Sequence, residues 1–264
     1  ITLIKEVTGE AGLCVVIPCS YETDEQFTPR HMVWYKTKDQ KESRVFNSDN
    51  DKDTKAGFKG RVSLLEPDVS QRNCSIMIND LTESDSGNYH FRVKGNMNGK
   101  SDGFSYRKKT DVSVSALKQK PSVMIPPLTE GQQVTLTCTA PGLCSGSPPK
   151  ITWMWRGNTT ALKTENLTAF TQRHSSTLTF NPTAEHHNTK LSCTVSFTAG
   201  PTVQEETLKV TSTKSPVVVC FNTDKRRILN TSGCVLKLEL LTCVCISEGF
   251  PLPTINWSLP LDHT

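Results

Sequence analysis

Residues 14–34 read CVVIPCSYETDEQFTPRHMVW, and within this stretch a cysteine precedes a tryptophan at the spacing of strands B and C in an immunoglobulin-like sandwich. The same spacing occurs three times, at Cys19 with Trp34, at Cys138 with Trp153 and at Cys245 with Trp257. Residues 85–89, DSGNY, add the tyrosine corner that comes before strand F. The sequence therefore predicts an all-β chain of tandem immunoglobulin-like β-sandwiches.

These repeats divide the chain into three predicted domains. Residues 1–116 form a variable-type domain, because the interval from Trp34 to Asp85 has room for its extra strands. Residues 117–213 have a shorter interior, which is typical of a constant-type domain. Residues 214–264 form an incomplete third immunoglobulin-like domain, and we expect the chain to be a fragment of a longer protein.

Cysteines and glycosylation motifs favour an extracellular location. The chain has ten cysteines and no paired CxxC motif, which favours disulfides formed in an oxidising compartment. Five N-x-S/T motifs predict glycosylation at Asn73, Asn158, Asn166, Asn230 and Asn256. No window of about 18 apolar residues occurs, so we expect this segment to make no membrane contact of its own.

Charge and motif content exclude several classes of function. The net charge is +4, and residues 1–116 balance 17 Lys and Arg against 17 Asp and Glu. Without a basic stripe interleaved with aromatic residues, a nucleic-acid partner is not expected. No nucleophile–base–acid set, phosphate loop or zinc motif occurs, so we expect no enzyme and no cofactor. His174, His186 and His187 have no ligand-spaced partners, so no metal is expected either.

Strand alternation predicts the disulfide of the first domain. Residues an odd number apart on a strand face opposite ways, so Cys14 faces outward if Cys19 faces the core. An ordinary variable-type domain pairs Cys19 with a strand F cysteine, but that position is Phe91 here. The available cysteine is Cys74, in a segment typical of strand E. Because strands B and E share a sheet, we predict a Cys19–Cys74 bridge within one sheet.

The second domain has the ordinary core pair, Cys138 and Cys193, so Cys144 has no predicted partner in that domain. Since Cys14 likewise has no predicted partner in the first domain, the simplest arrangement is a Cys14–Cys144 bridge between the two domains. Two free thiols or an intermolecular pair are the alternatives. The pairing of the four later cysteines stays open: Cys220, Cys234, Cys243 and Cys245.

Several of these features occur together in one known family. In the first domain they are Cys14-x-x-x-x-Cys19, Phe58-Lys-Gly-Arg61, Cys74 in strand E and Tyr89-His-Phe-Arg92. In the second they are CTAPGLC at 138–144, PPKITW at 148–153 and LSC at 191–193. Over about residues 3–213 the chain resembles the sialic-acid-binding immunoglobulin-like lectins, the siglecs.

The resemblance implies that Arg92 binds the carboxylate of sialic acid. Alternation agrees, because Tyr89 and Phe91 point into the core, which leaves His90 and Arg92 on the exposed face of the sheet. A guanidinium there presents a planar fork that matches a carboxylate. The alternative is a solvated surface arginine, or one paired with a neighbouring acid.

The family also places a strand G aromatic against the glycerol tail of the sugar. The resemblance gives this role to Phe104, with Tyr106 as second choice, although a core position in strand G is an equal alternative for both. A second family aromatic, at the N-terminus, would fall just before Ile1. We expect Arg61 to pair with Asp85 as a structural bridge.

The function implied is recognition of sialylated glycoproteins or glycolipids, for adhesion or immune signalling. The chain would then be part of the ectodomain of a single-pass cell-surface membrane protein. The alternative is a protein-binding immunoglobulin adhesion or immune receptor that has lost sialic-acid binding.

Overall fold

The computed structural model describes residues 1–50, 52–155 and 157–211, and the backbone of four strands beyond them. The chain forms two compact units. The first comprises Ile1–Pro126, Thr135–Phe180 and Lys190–Thr207, and the second comprises Pro127–Val134, Asn181–Thr189 and Leu208–Thr264. The first unit thus holds the first domain and most of the second. No helix in the described part of the chain is long and apolar enough to cross a membrane.

The strands of the first domain range from 2 to 16 residues and are joined by turns. Its strands are β1 (Thr2–Leu3), β2 (Glu6–Glu10), β3 (Val15–Ile17), β4 (Cys19–Ser20), β5 (Phe27–Lys38), β6 (Lys41–Asn47), β7 (Val62–Leu64), β8 (Ile76–Ile78), β9 (Gly87–Met97) and β10 (Lys100–Ser115). Its 3-10 helices are η1 (Ala56–Phe58), η2 (Val69–Gln71) and η3 (Glu83–Asp85).

These strands form two layers. One sheet has the order β2-β10-β9-β5-β6 and the other the order β3-β8-β7, while β1 pairs with β4. In immunoglobulin terms β10, β9, β5 and β6 are strands G, F, C and C′, and strand C′ distinguishes variable-type from constant-type domains. The G-F-C sheet carries the candidate site on its outer face.

Aromatic residues close the core between the two layers. Trp34, Tyr89 and Phe91 are fully buried. The rings of Trp34 and Phe91 lie 5.6 Å apart, and the indole N–H donates to the carbonyl of Cys74 at 3.0 Å. The Tyr89 hydroxyl donates to the Asp85 carbonyl at 2.7 Å, which is the tyrosine corner. Phe91 thus lies in the core at the strand F position where ordinary variable-type domains have a cysteine.

Three disulfides coincide with the pairs expected from the sequence: Cys14–Cys144, Cys19–Cys74 and Cys138–Cys193. The Cα atoms of Cys19 and Cys74 lie 4.8 Å apart, and the Cys74 N–H donates to the Cys19 carbonyl at 2.9 Å. This bridge therefore joins neighbouring segments of one layer.

The predicted pair of Arg61 and Asp85 is confirmed. Arg61 Nη1 lies 2.9 Å from Asp85 Oδ2 and Nη2 lies 3.0 Å from Oδ1. Arg61 Nη1 also donates to the carbonyls of Asn79 and Asp80. The Asp85 side chain is only 3% exposed, so this bidentate pair stabilises the base of the first domain.

The described residues of the second domain repeat the two-layer arrangement and contain no strand C′. In the first unit its strands are β11 (Ser122–Met124), β13 (Val134–Thr139), β14 (Lys150–Met154), β15 (Asn158–Thr159), β16 (Lys163–Asn166), β17 (Gln172–Phe180), β18 (Lys190–Phe197) and β19 (Gly200–Thr207). One sheet has the order β11-β13-β17-β15, with β16 also on β17, and the other has the order β14-β18-β19. Cys138 and Cys193 are both fully buried where they join these sheets.

Polar contacts tie the two domains together within the first unit. The Asp80 carboxylate accepts hydrogen bonds from the Ser147 backbone at 3.0 and 3.1 Å and from its hydroxyl at 2.8 Å. The Glu10 carboxylate accepts from the N–H groups of Gln119 and Lys118 at 3.0 and 2.9 Å. The bond from Gln119, followed by that from Lys118, lowers the pKa of Glu10.

The second unit contains β12 (Leu128–Thr129), η4 (Ala184–His186) and β20 (Val210–Thr211), with β12 and β20 paired in parallel. It also contains β21 (Val219–Asn222), β22 (Gly233–Lys237), β23 (Leu240–Val244) and β24 (Ile255–Ser258), in two antiparallel pairs. The remainder of the predicted third domain lies outside the described residues.

Candidate functional site

Arg92 lies on the outer face of the G-F-C sheet, where alternation predicted it. Its neighbours on β9, Phe91 and Val93, are fully buried. On the adjoining strands it stands opposite Ser105 of β10 and Val33 of β5. Its side chain is half-buried, so it is held against the sheet and still reaches solvent.

The sheet orients the guanidinium of Arg92. Nη1 donates to the Ser105 hydroxyl at 3.1 Å. The other side of the group lies over Gly103, where an added Cβ would come within 3.2 Å of Nη2 and 3.3 Å of Nε. Because Gly103 has no side chain, the guanidinium can occupy this space. Nε is buried and has no hydrogen-bond partner among the described residues.

Two acidic residues on this face already have other partners. Glu42 Oε2 lies 3.4 Å from His90 Nε2, and Asp53 Oδ2 lies 2.7 Å from Arg44 Nη1. In the part of the chain that the structure describes, no carboxylate lies within ion-pair distance of Arg92. The guanidinium is thus positioned, cationic and open to an anion from solution.

Sequence reasoning missed Ser105 and Gly103, although a signal for both was present. Asn98 and Gly99 both have positive φ angles, 49° and 77°, as a two-residue hairpin turn requires. This turn pairs Met97 with Lys100, and the same register continues until Ser105 faces Arg92. An Asn-Gly turn read from the sequence would have brought both residues to the site.

Phe104 and Tyr106 lie on the core side of β10. The Phe104 ring packs edge-on against Phe27, with centroids 4.8 Å apart, and the Tyr106 ring stacks on Phe91 at 5.8 Å. Both are nonetheless half-buried, and both line a cleft of about 330 Å³. Its lining residues are Glu22, Thr23, Asp24, Phe104, Ser105 and Tyr106. Because Ser105 binds Arg92 and also lines the cleft, it joins the predicted residues into one candidate site.

His90 is the next outward residue on β9. Its ring stacks on Tyr35, with centroids 5.3 Å apart and planes at 13°. Burial lowers the pKa of His90, the charge of Lys109 lowers it further, and Glu42 opposes the shift. The imidazole is therefore neutral at physiological pH and adds no positive charge beside Arg92.

The predicted glycosylation sites differ in exposure. Asn166 is exposed on β16, whereas Asn73 is half-buried and its side-chain oxygen accepts the Ser75 N–H at 2.9 Å. The side chains of Asn158, Asn230 and Asn256 lie outside the described part. No cluster of three or more potential metal ligands occurs among the described residues.

Comparison with known proteins places these features in a family. The Immunoglobulin V-set domain matches residues 4–115 and the Immunoglobulin domain matches residues 116–212. Sialic acid-binding Ig-like lectin 5 of Homo sapiens is 31% identical over 265 residues, which are 96% of this chain and 46% of that protein. Sialic acid-binding Ig-like lectin 6 of Homo sapiens is 31% identical, over 96% of this chain and 55% of its own length. Myeloid cell surface antigen CD33 of Mus musculus is 31% identical, over 90% and 60%.

The chain spans about half the length of the curated relatives it matches. Among solved structures, a crystal structure of Rst D1-D2 aligns with 80% of this chain and 97% of its own length, at 19% identity and a TM-score of 0.33. The alignments with these relatives cover 90–96% of this chain and so include both of its matched domains. The chain therefore belongs to the siglec family of sialic acid-binding Ig-like lectins.

Proposed function

We propose that this chain is the sialoglycan-binding part of a cell-surface lectin, and that Arg92 binds the sialic acid carboxylate. The observation that carries the proposal is the Arg92 guanidinium, held by Ser105 and without an acidic partner in the described part of the chain. A carboxylate matches the planar fork of a guanidinium and accepts two parallel hydrogen bonds from it.

The unpaired Nε of Arg92 supports the same ligand. A buried donor without a partner costs free energy, and a carboxylate approaching that edge would recover part of it. The relatives named sialic acid-binding Ig-like lectins favour a sialylated ligand over other carboxylates.

The adjacent cleft suits the rest of the sugar. Phe104 and Tyr106 offer apolar ring surface for the glycerol tail, as the family resemblance implies. Across the cleft, the side chains of Glu22 and Asp24 can accept hydrogen bonds from sugar hydroxyls. The contact surface is small, so a single site would bind weakly, at roughly millimolar Kd or about −4 kcal/mol. Clustering on a membrane would then supply avidity for sialylated glycoproteins or glycolipids.

The test is cell binding by a multimer of this chain, before and after sialidase treatment. Arg92→Ala should abolish the sialidase-sensitive binding, because loss of the fork costs roughly 2 kcal/mol, or about 30-fold per site. Arg92→Lys should be nearly as damaging, since an ammonium keeps the charge and loses the planar fork. Arg173→Ala is the matched control, because Arg173 is an exposed arginine of the second domain.

The Arg92 variants also distinguish a loss of binding from a loss of folding. Arg92 points out of the sandwich, so its loss opens no core cavity and should change stability by less than about 0.5 kcal/mol. Sialidase-sensitive binding that survives in Arg92→Ala would place the glycan site elsewhere.

A protein-binding receptor is the second candidate. On β10, the residues that face Arg92 and Lys94 are the small Ser105 and Gly103, so this face offers no aromatic platform there. If the unmodified multimer ignores sialic acid on a glycan array, this second candidate replaces the first.

A further inference from the structure

The glycosylation motif at Asn73 has a cysteine at its middle position. Residues 73–75 read Asn-Cys-Ser, and Cys74 forms the bridge to Cys19 in the same layer. The motif that a glycosyltransferase recognises and the cross-link therefore share one residue. The closed bridge fixes the surroundings of both other members of the motif, Asn73 and Ser75.

Every polar group of Ser75 is used in the bridged state. Its hydroxyl accepts the Cys19 N–H at 2.9 Å and donates to the Cys19 carbonyl at 3.2 Å. Its N–H donates to the side-chain oxygen of Asn73 at 2.9 Å, and its carbonyl accepts the Leu65 N–H at 3.0 Å. Ser75 is only 8% exposed. The hydroxyl that completes the motif is thus enclosed between backbone groups of Cys19.

The bridge also holds a second segment of the chain against the motif. The Cα atoms of Cys19 and Cys74 lie 4.8 Å apart, and Asn73 forms a β-bridge with Ser20. A glycosyltransferase must bind residues 73–75 as one accessible segment. In the bridged chain, residues 19 and 20 occupy the space beside that segment.

The motif at Asn166 is open by comparison. Asn166, Leu167 and Thr168 are all exposed. The side-chain oxygen of Asn166 accepts from Gln172 Nε2 at 3.0 Å, and the Thr168 hydroxyl bonds to the Thr171 hydroxyl at 2.7 Å, both at the solvent-exposed surface. Folding therefore leaves this second motif within reach of a transferase.

We propose that Asn73 is a conditional glycosylation site, which accepts a glycan only until the Cys19–Cys74 bridge closes. The finished glycan fits the closed state, because Asn73 is half-buried and its side-chain nitrogen has no hydrogen-bond partner among the described residues. A chain that is glycosylated early can still form the bridge, whereas a bridged chain can no longer be glycosylated at this position. The inference does not depend on the role of Arg92.

The two reactions use different groups of the same tripeptide. In glycan transfer, the carboxamide nitrogen of Asn73 displaces a lipid diphosphate from C1 of the donor sugar and loses one proton. In bridge closure, the thiols of Cys19 and Cys74 lose two protons and two electrons to a disulfide of an oxidoreductase, which becomes a dithiol. Because neither reaction consumes a group of the other, they compete through access alone, and their order decides the outcome.

The experiment uses the full chain, made in a bacterial host that forms disulfides and adds no glycans. Each form is incubated without reductant with an isolated oligosaccharyltransferase and its lipid-linked donor, and peptide mass spectrometry measures the occupancy of Asn73 and Asn166. The test variant is Cys19→Ala, which prevents the bridge and keeps the motif intact. Two controls keep the bridge: Phe91→Ala loosens the core of the same domain, and Cys138→Ala leaves an unpaired cysteine in the second domain.

We expect the occupancy of Asn73 to be roughly tenfold or more higher in Cys19→Ala than in the unmodified chain, because the bridged motif is reached only through local opening. Both control variants should stay near the unmodified value at Asn73. Asn166 should be glycosylated equally in the unmodified chain and in both first-domain variants, which verifies that the enzyme is active on each of them.

Equal occupancy of Asn73 in the unmodified chain and in Cys19→Ala, whether high or low, would overturn the inference, because the bridge would not control access. Occupancy in Phe91→Ala as high as in Cys19→Ala would assign the control to core packing instead. The same result in Cys138→Ala would make it a general effect of an unpaired cysteine. None of these outcomes bears on sialic acid binding by Arg92.

Discussion

In the second domain Cys138 and Cys193 join the two sheets of the sandwich, whereas in the first domain Cys19 and Cys74 lie side by side in one layer. The Cα atoms are 6.5 Å apart in the first case and 4.8 Å in the second. Within the described first domain, no disulfide therefore joins the sheet that carries Arg92 to its partner sheet. Side-chain packing centred on Phe91 does so instead.

This difference places a phenylalanine, instead of a cysteine, beneath the candidate site of the first domain. Phe91 occupies the strand F position that a cysteine takes in the second domain, and it contacts the rings of Tyr21, Trp34 and Tyr106. Tyr106 lies in a β-bulge of β10 that begins after Ser105, the residue opposite Arg92 on β9. The residue that replaces the cysteine thus supports the strand on which the ligand would bind.

Among these tests, we expect the largest loss of stability from Phe91→Ala in the first domain. Removing a fully buried phenylalanine from a core costs about 3–5 kcal/mol, and here it also removes the support of Tyr106. Chemical denaturation with hydrogen exchange should locate the loss in peptides of the first domain. Phe197→Ala, a half-buried residue of the second domain, is the control and should cost less. A loss below about 1 kcal/mol would contradict the role assigned to Phe91.

The two disulfides permit a closely matched test, because both bridges span a sequence separation of 55 residues. Loop-closure entropy then predicts similar losses, about 2–4 kcal/mol, for Cys19→Ala/Cys74→Ala and for Cys138→Ala/Cys193→Ala. Denaturation of each double variant, followed domain by domain, gives the two values. A difference above about 1 kcal/mol would show that native packing around one bridge, and not loop closure, decides its contribution.

The sequence predicts which way a side chain points wherever inward and outward positions alternate along a strand without interruption. Alternation assigned Cys14 to one face and Cys19 to the other, and it placed Arg92 outside and Phe91 inside. Phe91 and Arg92 are neighbours on β9, and burial alternates along residues 15–19 although β3 and β4 are separate strands, so local pattern was sufficient.

The bulge and the cleft beside Arg92 depend on contacts that no local pattern contains. The bulge after Ser105 changes the pairing of β10 with β9 without any Gly or Pro to announce it. The hydrogen bond from Tyr106 to Glu22 joins residues 84 positions apart. For these reasons the sequence identified Arg92 as a candidate but not the cleft, whereas the Asn98-Gly99 turn could have indicated Ser105 and Gly103.

We expect a smaller loss of stability from a substitution at the junction of the two domains. Asp80→Ala removes three hydrogen bonds to Ser147 and should cost about 1 kcal/mol, because the contact is exposed to solvent. Asp80→Asn is the matched control, since it keeps a side-chain acceptor and tolerates the positive φ of 50° at this position. Hydrogen exchange at residues 145–148 should rise in the first variant and much less in the second. Equal exchange in both would mean that the Cys14–Cys144 bridge alone orders this segment.

The smallest effect we expect is a pH dependence of stability, which arises in each domain from one histidine that is shielded from solvent. His174 in the second domain is 5% exposed, and burial lowers its pKa from the ordinary 6.5, with a backbone contact to Cys144 opposing the shift. His90 in the first domain has a pKa lowered chiefly by burial as well. In both cases the unfolded chain takes up a proton at a higher pH than the folded chain does. Stability therefore falls as the pH drops below about 6.5 and levels off once the folded histidine is protonated.

Denaturation between pH 7.5 and 5.5 isolates this effect, because carboxyl groups titrate mainly below that range. His174→Gln should flatten the pH profile of second-domain peptides and leave the first domain unchanged, and His90→Gln should do the reverse. Each variant is thus the control for the other. If His174→Gln left the slope of the second domain as it was, another group would carry its pH dependence. Burial of His174 would then have no measurable effect on how the stability of the second domain depends on pH.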